Sequence, residues 1–320
     1  MVEIPPDVRK ILRKQGYQIV LRHSGVKLCY WLRRALLDGR TCYKHKFYGI
    51  RSWRCIQMSP AVIYCPNSCL YCWRVQQGDI EGLSWSKHTP EAPEAWDDPE
   101  EIAKESIKAQ RTCITGYRGV NAIMKRVEEA MDPKHVAISL SGEPTLYPRL
   151  GELIEVYKKM GMTVFLVTNG LYPEKLLSLE SEPTQLYVTI PAPNSEVYRK
   201  LCRPSLRDYW SRLMRTVEAL SSFSCPTVMR LTLVRGINMI DPESYAGIIA
   251  AGNPTYVEPK AYMHVGYSRL RLTFAHMPTH EDIREFSEKL AAASGYDIID
   301  ESADSRVVLL SRLKKPIRFT

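Results

Sequence analysis

Long apolar segments are missing from this sequence of 320 residues. No apolar run approaches the roughly 20 residues that a membrane-spanning helix requires. Residues 1–10 also lack the apolar core of a signal peptide, and we find no internal repeat and no low-complexity segment. The sequence therefore predicts a cytoplasmic globular protein without membrane contact, long enough to bury a full core.

A net positive charge is missing from most of the chain. The total of +9 arises in residues 1–56, which carry a net +10, whereas the remaining residues carry a net −1. Concentrated positive charge favours a polyanion such as nucleic acid, and aromatic side chains in the same segment suit stacking on unpaired bases. A solvated basic face with buried aromatic residues is the alternative. The aromatic residues are Tyr17, Tyr30, Trp31, Tyr43, Phe47, Tyr48 and Trp53.

Nine cysteines are too many for a cytoplasmic protein unless some of them bind metal. Cys65, Cys69 and Cys72 have the spacing C-x3-C-x2-C and follow a short apolar run, 61–64, which predicts a strand. Three thiolates at this spacing can hold three irons of a 4Fe–4S cluster and leave the fourth iron open to a small molecule. A zinc loop and unligated thiols are the alternatives, although structural zinc normally takes four ligands.

A second set of three cysteines has regular spacing. Cys29, Cys42 and Cys55 are separated by twelve residues each time, and three more thiolates of this kind can hold a second cluster. The spacing alone is a weak signal. The other cysteines, which we expect to be buried as small apolar side chains, are Cys113, Cys202 and Cys225.

Strands and helices alternate from about residue 136 onward, which is typical of a parallel sheet covered by helices. The predicted strands are 136–140, 163–168, 185–190, 227–234, 256–258, 262–265 and 306–310. The predicted helices are 6–16, 31–37, 97–111, 121–131, 149–160, 173–179, 194–201, 206–220, 241–251 and 280–293. Residues 75–96 have no clean period and predict a loop.

Polar tripeptides follow two neighbouring strands of this predicted sheet. Gly142-Glu143-Pro144 follows 136–140, and Thr168-Asn169-Gly170 ends and follows 163–168. Glycine allows close backbone approach, Glu143 offers an acceptor for an ammonium group, and the second tripeptide suits a ribose or a carboxylate. Each alone is an ordinary turn, but functional residues collect at the carboxyl ends of parallel strands. Together with the cysteine loop, they predict a ligand site at this edge.

The combination of C-x3-C-x2-C, G-E-P and T-N-G resembles the radical S-adenosylmethionine enzymes. That resemblance implies a partial (βα)6 TIM-like barrel and a 4Fe–4S cluster on Cys65, Cys69 and Cys72, with S-adenosylmethionine on the open iron. One electron then releases a 5′-deoxyadenosyl radical that abstracts hydrogen from substrate. The implied contacts to S-adenosylmethionine are Tyr71, Gly142, Glu143, Pro144, Thr168 and Asn169.

Within that superfamily, residues 8–312 resemble the tRNA 4-demethylwyosine synthases, in their archaeal form. Their C-x12-C-x12-C signature implies a second 4Fe–4S cluster on Cys29, Cys42 and Cys55. The segments that carry the resemblance are 23–29 (HSGVKLC), 42–50 (CYKHKFYGI), 69–74 (CLYCWR), 184–188 (TQLYV), 230–234 (RLTLV) and 305–310 (SRVVLL).

The resemblance implies a lyase that joins two carbons of pyruvate to N1-methylguanosine at position 37 of tRNA(Phe), giving 4-demethylwyosine. Lys44 matches the lysine proposed to form a Schiff base with pyruvate. Alternatively, pyruvate binds the open iron of the second cluster and Lys44 positions it, or Lys44 contacts phosphate. We expect a monomer that receives electrons from an external donor.

Two places depart from the family pattern. Trp53 stands where relatives often have histidine, so no role of that histidine can be transferred. Residues 189–193 lack the acid often found after this strand, so we assign no S-adenosylmethionine contact there.

We expect three regions: a basic N-terminal module, 1–56, carrying the second cluster, a radical barrel, 57–265, and a family-specific C-terminal region of α+β elements, 266–320. The N-terminal module is expected to pack at the mouth of the barrel and help hold the anticodon loop. The rival hypotheses are another radical enzyme that transfers a methyl group or sulfur to RNA, and a non-catalytic iron–sulfur or zinc protein that binds RNA.

Overall fold

A single sheet of ten strands organises the computed structural model, which describes residues 1–86 and 89–319. The strands are β1 (Gln18–Val20), β2 (Ser24–Val26), β3 (Cys55–Ser59), β4 (His135–Ile138), β5 (Thr163–Thr168), β6 (Gln185–Thr189), β7 (Thr227–Leu233), β8 (Tyr256–Ala261), β9 (Asp297–Ser302) and β10 (Val307–Ser311). Their order in the sheet is β1-β2-β3-β4-β5-β6-β7-β8-β10-β9. Strands β3 to β8 pair in parallel with their sequence neighbours. The predicted six-unit partial barrel is therefore confirmed.

Helices connect and cover these strands. They are α1 (Pro6–Lys14), α2 (Tyr30–Leu37), α3 (Tyr43–Tyr48), α4 (Pro99–Thr115), α5 (Met124–Ala130), α6 (Leu150–Lys159), α7 (Pro173–Leu177), α8 (Ser195–Cys202), α9 (Tyr209–Ala219), α10 (Pro242–Gly252) and α11 (His280–Ser294). Short 3-10 helices cover Ser52–Arg54, Pro93–Ala95, Gly116–Gly119, Pro144–Leu146, Leu220–Ser222, Gly266–Leu270 and Phe274–His276. Within the described residues, no helix is both long enough and apolar enough to cross a membrane.

Alternating side chains of the parallel strands give the sheet two buried faces. The outer-face residues, such as Ile56 and Val136, pack under the helices in the main apolar core. The inner-face residues form a second apolar cluster together with α3, and this cluster includes Ala137, Phe165 and Tyr187. Both faces are buried because helices cover one side and the curved sheet encloses the other. The enclosed side forms the interior of the barrel.

The ten predicted helices are confirmed, with ends that differ by a few residues. Asp98 caps α4 because its side chain accepts hydrogen bonds from the backbone N–H groups of Glu100 (2.8 Å) and Glu101 (3.3 Å). The predicted loop 75–96 is irregular apart from the turn at Pro93–Ala95, and residues 87 and 88 lie outside the described part of the chain.

Two predicted strands are wrong. The run 61–64 is a buried turn in which the Tyr64 N–H donates to the Ala61 carbonyl (3.1 Å). It is apolar because it is buried, and the strand is instead β3, which ends just before Pro60. Residues 262–265 form no strand either, since β8 continues through Pro259 to Ala261. The short elements β1, β2, β9 and α3 were not predicted, because three to six residues carry little periodicity.

The N-terminal segment shares the sheet with the rest of the chain. β2 pairs with β1 and with β3, both antiparallel. One part of the segment does lie near the carboxyl end of the parallel strands, where the Tyr17 hydroxyl is 3.4 Å from that of Ser141. Helix α3 instead packs inside the barrel, so the segment does not lie wholly at the mouth. The three-region division, 1–56, 57–265 and 266–320, stays a prediction.

Candidate active site

A cavity of about 440 Å³ opens at the carboxyl ends of the parallel strands. It brings together the first cysteine triad and both polar tripeptides, which the sequence predicted to meet at this edge. Charged and polar side chains of strands β7 and β8 line another part of the same cavity. The predicted residues that line it are Cys65, Cys69, Tyr71, Cys72, Gly142, Glu143, Pro144, Thr168 and Asn169.

Two arginines hold the backbone of the first triad's loop. Buried Arg74 donates to the Ile63 carbonyl at 2.5 Å. Arg271 donates to the carbonyls of Cys69 (3.3 Å) and Cys72 (2.5 Å), so the C-terminal region fixes the loop as well. Neither arginine was predicted. Arg74 adjoins the motif, but nothing local marks Arg271, which lies about 200 residues away along the chain.

The cysteines of the first triad are half-buried and lie beside cationic groups. Burial raises the pKa of the Cys65 thiol to about 12, and the Arg74 guanidinium opposes that rise. A hydrogen bond with Cys202 lowers the pKa of Cys69, and burial opposes this decrease. Cys202 is therefore buried as predicted but contacts the triad, whereas Cys113 and Cys225 are only half-buried. Binding iron requires the thiolates, so the nearby positive charge suits a metal cluster.

All nine cysteines are free thiols. Among the described residues, no group of three His, Cys, Asp or Glu side chains converges closely enough to hold a single metal ion. The cysteines of the first triad instead line one cavity that is wide enough for a larger group. The donor set, three thiols with adjacent cations, fits a cluster with three thiolate ligands.

Glu143 is held in one orientation by the polar groups around it. Its Oε1 accepts from the Thr168 hydroxyl (2.6 Å) and the Thr145 hydroxyl (2.7 Å), and its Oε2 accepts from the Asn169 N–H (2.8 Å). Burial raises the pKa of this carboxyl group, and the hydrogen bonds oppose the rise. A fixed carboxylate with one free lone-pair direction on Oε2 can accept an ammonium group.

Gly142 allows the G-E-P turn to lie directly on the cysteine loop. Its φ is +74°, and a Cβ at this position would overlap the carbonyl oxygen of Ala61. The Glu143 N–H donates to the Tyr64 carbonyl at 2.7 Å, which joins the two turns. The Asn169 amide nitrogen lies 3.7 Å from Cys65 Sγ. The two tripeptides therefore contact the triad's loop rather than merely facing it.

The second triad lies at the opposite end of β3 from the first. Cys29 and Cys42 are the residues before α2 and α3, and Cys55 begins β3. The Leu32 N–H donates to Cys29 Sγ at 3.2 Å. Burial raises the pKa of Cys29 and of Cys55 to about 12, with a further rise from the neighbouring thiolates of the triad. The three half-buried cysteines are therefore close enough to affect one another.

Lys44 lies in the first turn of α3 and points into the barrel. Its Nζ is 4.3 Å from the ring centre of Phe165 and 4.2 Å from that of Tyr187. Among the described residues, no acceptor lies within hydrogen-bond distance of this ammonium group. Burial, with added repulsion from Arg230, lowers the pKa of Lys44 to about 8. Such a lysine loses its proton more easily than an exposed one.

Three further charged groups occupy the interior between the triads. The Arg230 guanidinium pairs with the Glu258 carboxylate at 2.9 Å, and the hydroxyls of Tyr43 (3.2 Å) and Tyr48 (2.7 Å) donate to the same carboxylate. Lys260 Nζ donates to the Ser305 carbonyl at 2.5 Å and lines the cavity. These roles were not predicted, although the charges at alternate positions of the apolar strand β8 were an available signal.

The two departures from the family pattern have structural partners. The Trp53 indole N–H donates to Glu129 Oε2 at 2.6 Å, and the Arg126 guanidinium lies 4.5 Å from its ring centre. In the segment 189–193, the Pro191 carbonyl accepts from the Asn238 amide at 2.7 Å. Trp53 therefore packs as part of the second triad's surroundings.

An open six-strand parallel barrel with a cysteine triad and a G-E-P turn at its carboxyl edge defines the radical S-adenosylmethionine superfamily. The family model described as "Radical SAM superfamily" matches residues 61–247, and one described as "Wyosine base formation" matches residues 251–312. This class of enzyme uses S-adenosylmethionine and a 4Fe–4S cluster.

Relatives narrow the class to one family. The chain is 51% identical to the S-adenosyl-L-methionine-dependent tRNA 4-demethylwyosine synthase of Pyrococcus abyssi, over 97% of this chain and 90% of that one. It is 42% identical to the Methanocaldococcus jannaschii synthase, over 98% of both chains. This chain belongs to the tRNA 4-demethylwyosine synthase family. It is a radical enzyme of wyosine biosynthesis that acts on tRNA.

Solved structures agree with this assignment. A structure of TYW1 with a lysine-pyruvate adduct bound is 40% identical, with a TM-score of 0.87 over 99% of both chains. A crystal structure of archaeal TYW1 is 36% identical, with a TM-score of 0.78 over 99% of this chain and 100% of that one.

Proposed function

We propose that this enzyme condenses pyruvate with N1-methylguanosine at position 37 of tRNA(Phe) to form 4-demethylwyosine. The observation that carries the proposal is the position of Lys44, whose buried ammonium group lies in the barrel interior against the rings of Phe165 and Tyr187. A lysine-pyruvate adduct is present in a structure that is 40% identical to this chain. Family membership supplies the tRNA substrate.

Cys65, Cys69 and Cys72 would hold the first 4Fe–4S cluster, with S-adenosylmethionine on its open iron. When bound, this pair supplies the 5′-deoxyadenosyl radical. Glu143 would accept the amino group of S-adenosylmethionine, because Thr168 and Asn169 already fix its carboxylate. Tyr71, Gly142 and Pro144 would complete the contacts, since they line the same cavity.

Cys29, Cys42 and Cys55 would hold a second 4Fe–4S cluster. The triad is half-buried, and its thiols are close enough to influence one another. Lys44, Arg230 and Lys260 bring three positive charges to the adjoining interior against the single carboxylate of Glu258. This excess of positive charge would offset the negative charge of bound thiolates and of a carboxylate substrate.

Pyruvate would occupy the interior between the triads. In one arrangement, the neutral Lys44 amine attacks the pyruvate carbonyl carbon, and the carbonyl oxygen leaves as water, giving a Schiff base. In the other, pyruvate binds the open iron of the second cluster, and Lys44 positions it. Arg230 and Lys260 are the side chains on the cavity wall that can balance the pyruvate carboxylate in either arrangement.

Borohydride trapping separates the two arrangements. Reduction of a Schiff base makes a stable bond between pyruvate and Lys44, which mass spectrometry of peptides locates. Lys46→Ala is the matched control, because Lys46 follows on the same helix but is exposed and pairs with Asp300. Trapping that is lost in Lys44→Ala and kept in Lys46→Ala supports the Schiff base. If the enzyme is active but borohydride traps no adduct, the result supports binding of pyruvate to the iron.

The guanosine at position 37 would leave the anticodon-loop stack to enter the cavity, as enzymes acting on bases require. We propose a monomer that takes electrons from an external donor. The decisive experiment incubates the reconstituted enzyme with pyruvate, S-adenosylmethionine, reductant and tRNA bearing N1-methylguanosine. A new tricyclic nucleoside is expected by mass spectrometry. A methylated or sulfur-containing product, or no product at all, overturns the proposal.

A further inference from the structure

A second cleft adjoins the cavity at Trp73. It has a volume of about 500 Å³. Trp73 also lines the 440 Å³ cavity, so the two spaces share one wall. A group in this cleft therefore lies next to a group in the cavity. The cleft residues that matter here are Gln15, Lys27, Trp73, Tyr267, Arg269 and Leu270.

The wall of the cleft is aromatic and is held in place by close backbone packing. Trp73 stacks on Tyr17 with ring centres 5.8 Å apart and planes at 23°. Gly266 has a φ of +59°, and a Cβ there would lie 2.5 Å from the Trp73 carbonyl oxygen. The Tyr267 N–H donates to that same carbonyl at 3.0 Å. The side chain of Leu270 at the rim is 65% exposed. Aromatic walls with an exposed apolar rim suit a planar ring.

An unsatisfied amide group lies in the same cleft. Both Nε2 and Oε1 of Gln15 are buried, and neither has a hydrogen-bond partner among the described residues. A buried polar group without a partner destabilises the protein. An amide offers a donor and an acceptor side by side, which is the arrangement that the edge of a nucleobase can satisfy.

Two cations flank the aromatic wall. Lys27 Nζ lies 4.7 Å from the ring centre of Trp73 and 5.1 Å from that of Tyr17. Arg269 is exposed at the rim. Among the described residues, neither cation has a carboxylate within ion-pair distance. Unpaired cations beside an aromatic wall match the phosphates that accompany a stacked base.

We propose that this cleft binds one unpaired nucleotide of the RNA substrate, adjacent in sequence to the nucleotide that enters the cavity. The base stacks against the aromatic wall, and the Gln15 side chain rotates so that its amide pairs with the edge of the base. Lys27 and Arg269 neutralise the flanking phosphates. This inference rests on the proposed function, since it requires an RNA whose target base enters the cavity. Trp73 would then separate two consecutive bases.

An abasic scan of the anticodon loop tests the cleft. Stem–loop RNAs carry N1-methylguanosine at the target position and one abasic nucleotide at each other loop position in turn. Their affinity for the iron-reconstituted enzyme is measured by fluorescence anisotropy. For the unaltered enzyme, an abasic neighbour of the target is expected to weaken binding about tenfold, and more distant abasic positions less. In Gln15→Leu, which removes the amide that pairs with the base, the penalty at that neighbour should shrink. Arg269→Ala, which removes a contact to phosphate, should instead weaken binding of every stem–loop and reduce the salt dependence of binding.

The matched control is Arg118→Ala, which removes an exposed arginine outside the cleft and should keep the full penalty. Iron content and thermal melting confirm that each variant is folded, and Arg269→Ala provides the test at an exposed position if Gln15→Leu does not fold. Equal penalties at all loop positions, or an affinity and salt dependence in Arg269→Ala equal to those of Arg118→Ala, contradict the proposed nucleotide site. Failure of the unaltered enzyme to make the tricyclic nucleoside on the intact stem–loop overturns the proposed function instead.

Discussion

Lys44, Arg230, Lys260 and Glu258 concentrate positive charge inside the barrel. The three cations are each at least partly buried, and one carboxylate, Glu258, pairs directly with only one of them. Burial, with repulsion from Arg230, lowers the pKa of Lys260 to about 8, as it does for Lys44. A buried excess of charge is costly unless an anion compensates it. The side chains thus favour occupancy by an anionic group.

Substitution of Lys260 tests whether that anion is pyruvate. Lys260→Gln keeps a polar side chain of similar reach but removes the charge that faces the cavity. We expect the KM for pyruvate to rise about tenfold, which corresponds to about 1.4 kcal/mol, with a smaller change in kcat. Steady-state formation of the tricyclic nucleoside at varied pyruvate concentrations measures both.

Lys315→Gln is the control, because this substitution makes the same change of charge at an exposed residue near the C-terminus. If Lys260→Gln lowered kcat at unchanged KM, the carboxylate would not bind at Lys260. Partial recovery of the KM in Lys260→Arg would support a role for charge rather than shape.

Site residues that are close in sequence were the ones that could be predicted. The cysteines and Glu143 belong to short motifs whose spacing carries their chemistry. Arg230 and Glu258 could not be predicted in the same way, because each is a single charge in an apolar strand. They meet only because β7 and β8 pair in the register that sets Arg230 opposite Glu258. Such register depends on the assembled sheet.

At the scale of elements, the turns rather than the strands set the geometry of the cavity. The parallel strands β4 to β8 and their helices were predictable because short apolar runs alternate along the chain with segments of helical period. The apolar run 61–64 misled the prediction, because burial in a turn and burial in a strand give the same composition. The G-E-P turn packs against this buried turn at Gly142.

Two glycines with the same backbone conformation allow a matched test of that contact. Gly142 has φ +74° and Gly161 has φ +73°, but only Gly142 has atoms where a Cβ would be added. Gly161→Ala should cost about 1 kcal/mol through backbone strain alone. Gly142→Ala should destabilise more and weaken S-adenosylmethionine binding, because the turn that carries Glu143 must move.

Thermal melting and equilibrium binding of S-adenosylmethionine to the reconstituted enzyme measure the two effects. Similar melting temperatures and similar affinities for the two variants would mean that the close approach at Gly142 does not position Glu143.

At the scale of the whole molecule, β3 spans the distance between the two cysteine triads. Cys55 begins this strand, and the loop that carries Cys65 follows its end. Each triad also has its own supports, since Cys29 and Cys42 precede α2 and α3, whereas Arg271 holds the other loop. Loss of one cluster should therefore leave the other in place.

Iron analysis of single cysteine variants tests that independence. The unaltered enzyme should bind about eight irons per chain after anaerobic reconstitution, and Cys29→Ala and Cys65→Ala should each bind about four. Only Cys65→Ala should lose reductive cleavage of S-adenosylmethionine, because the first triad is the one proposed to hold the open iron that binds it. Cys113→Ala, which alters a half-buried thiol outside both triads, should keep all eight. An unchanged iron content in Cys29→Ala would contradict the prediction of a second cluster. Loss of all iron in either variant would mean that the triads assemble as one unit.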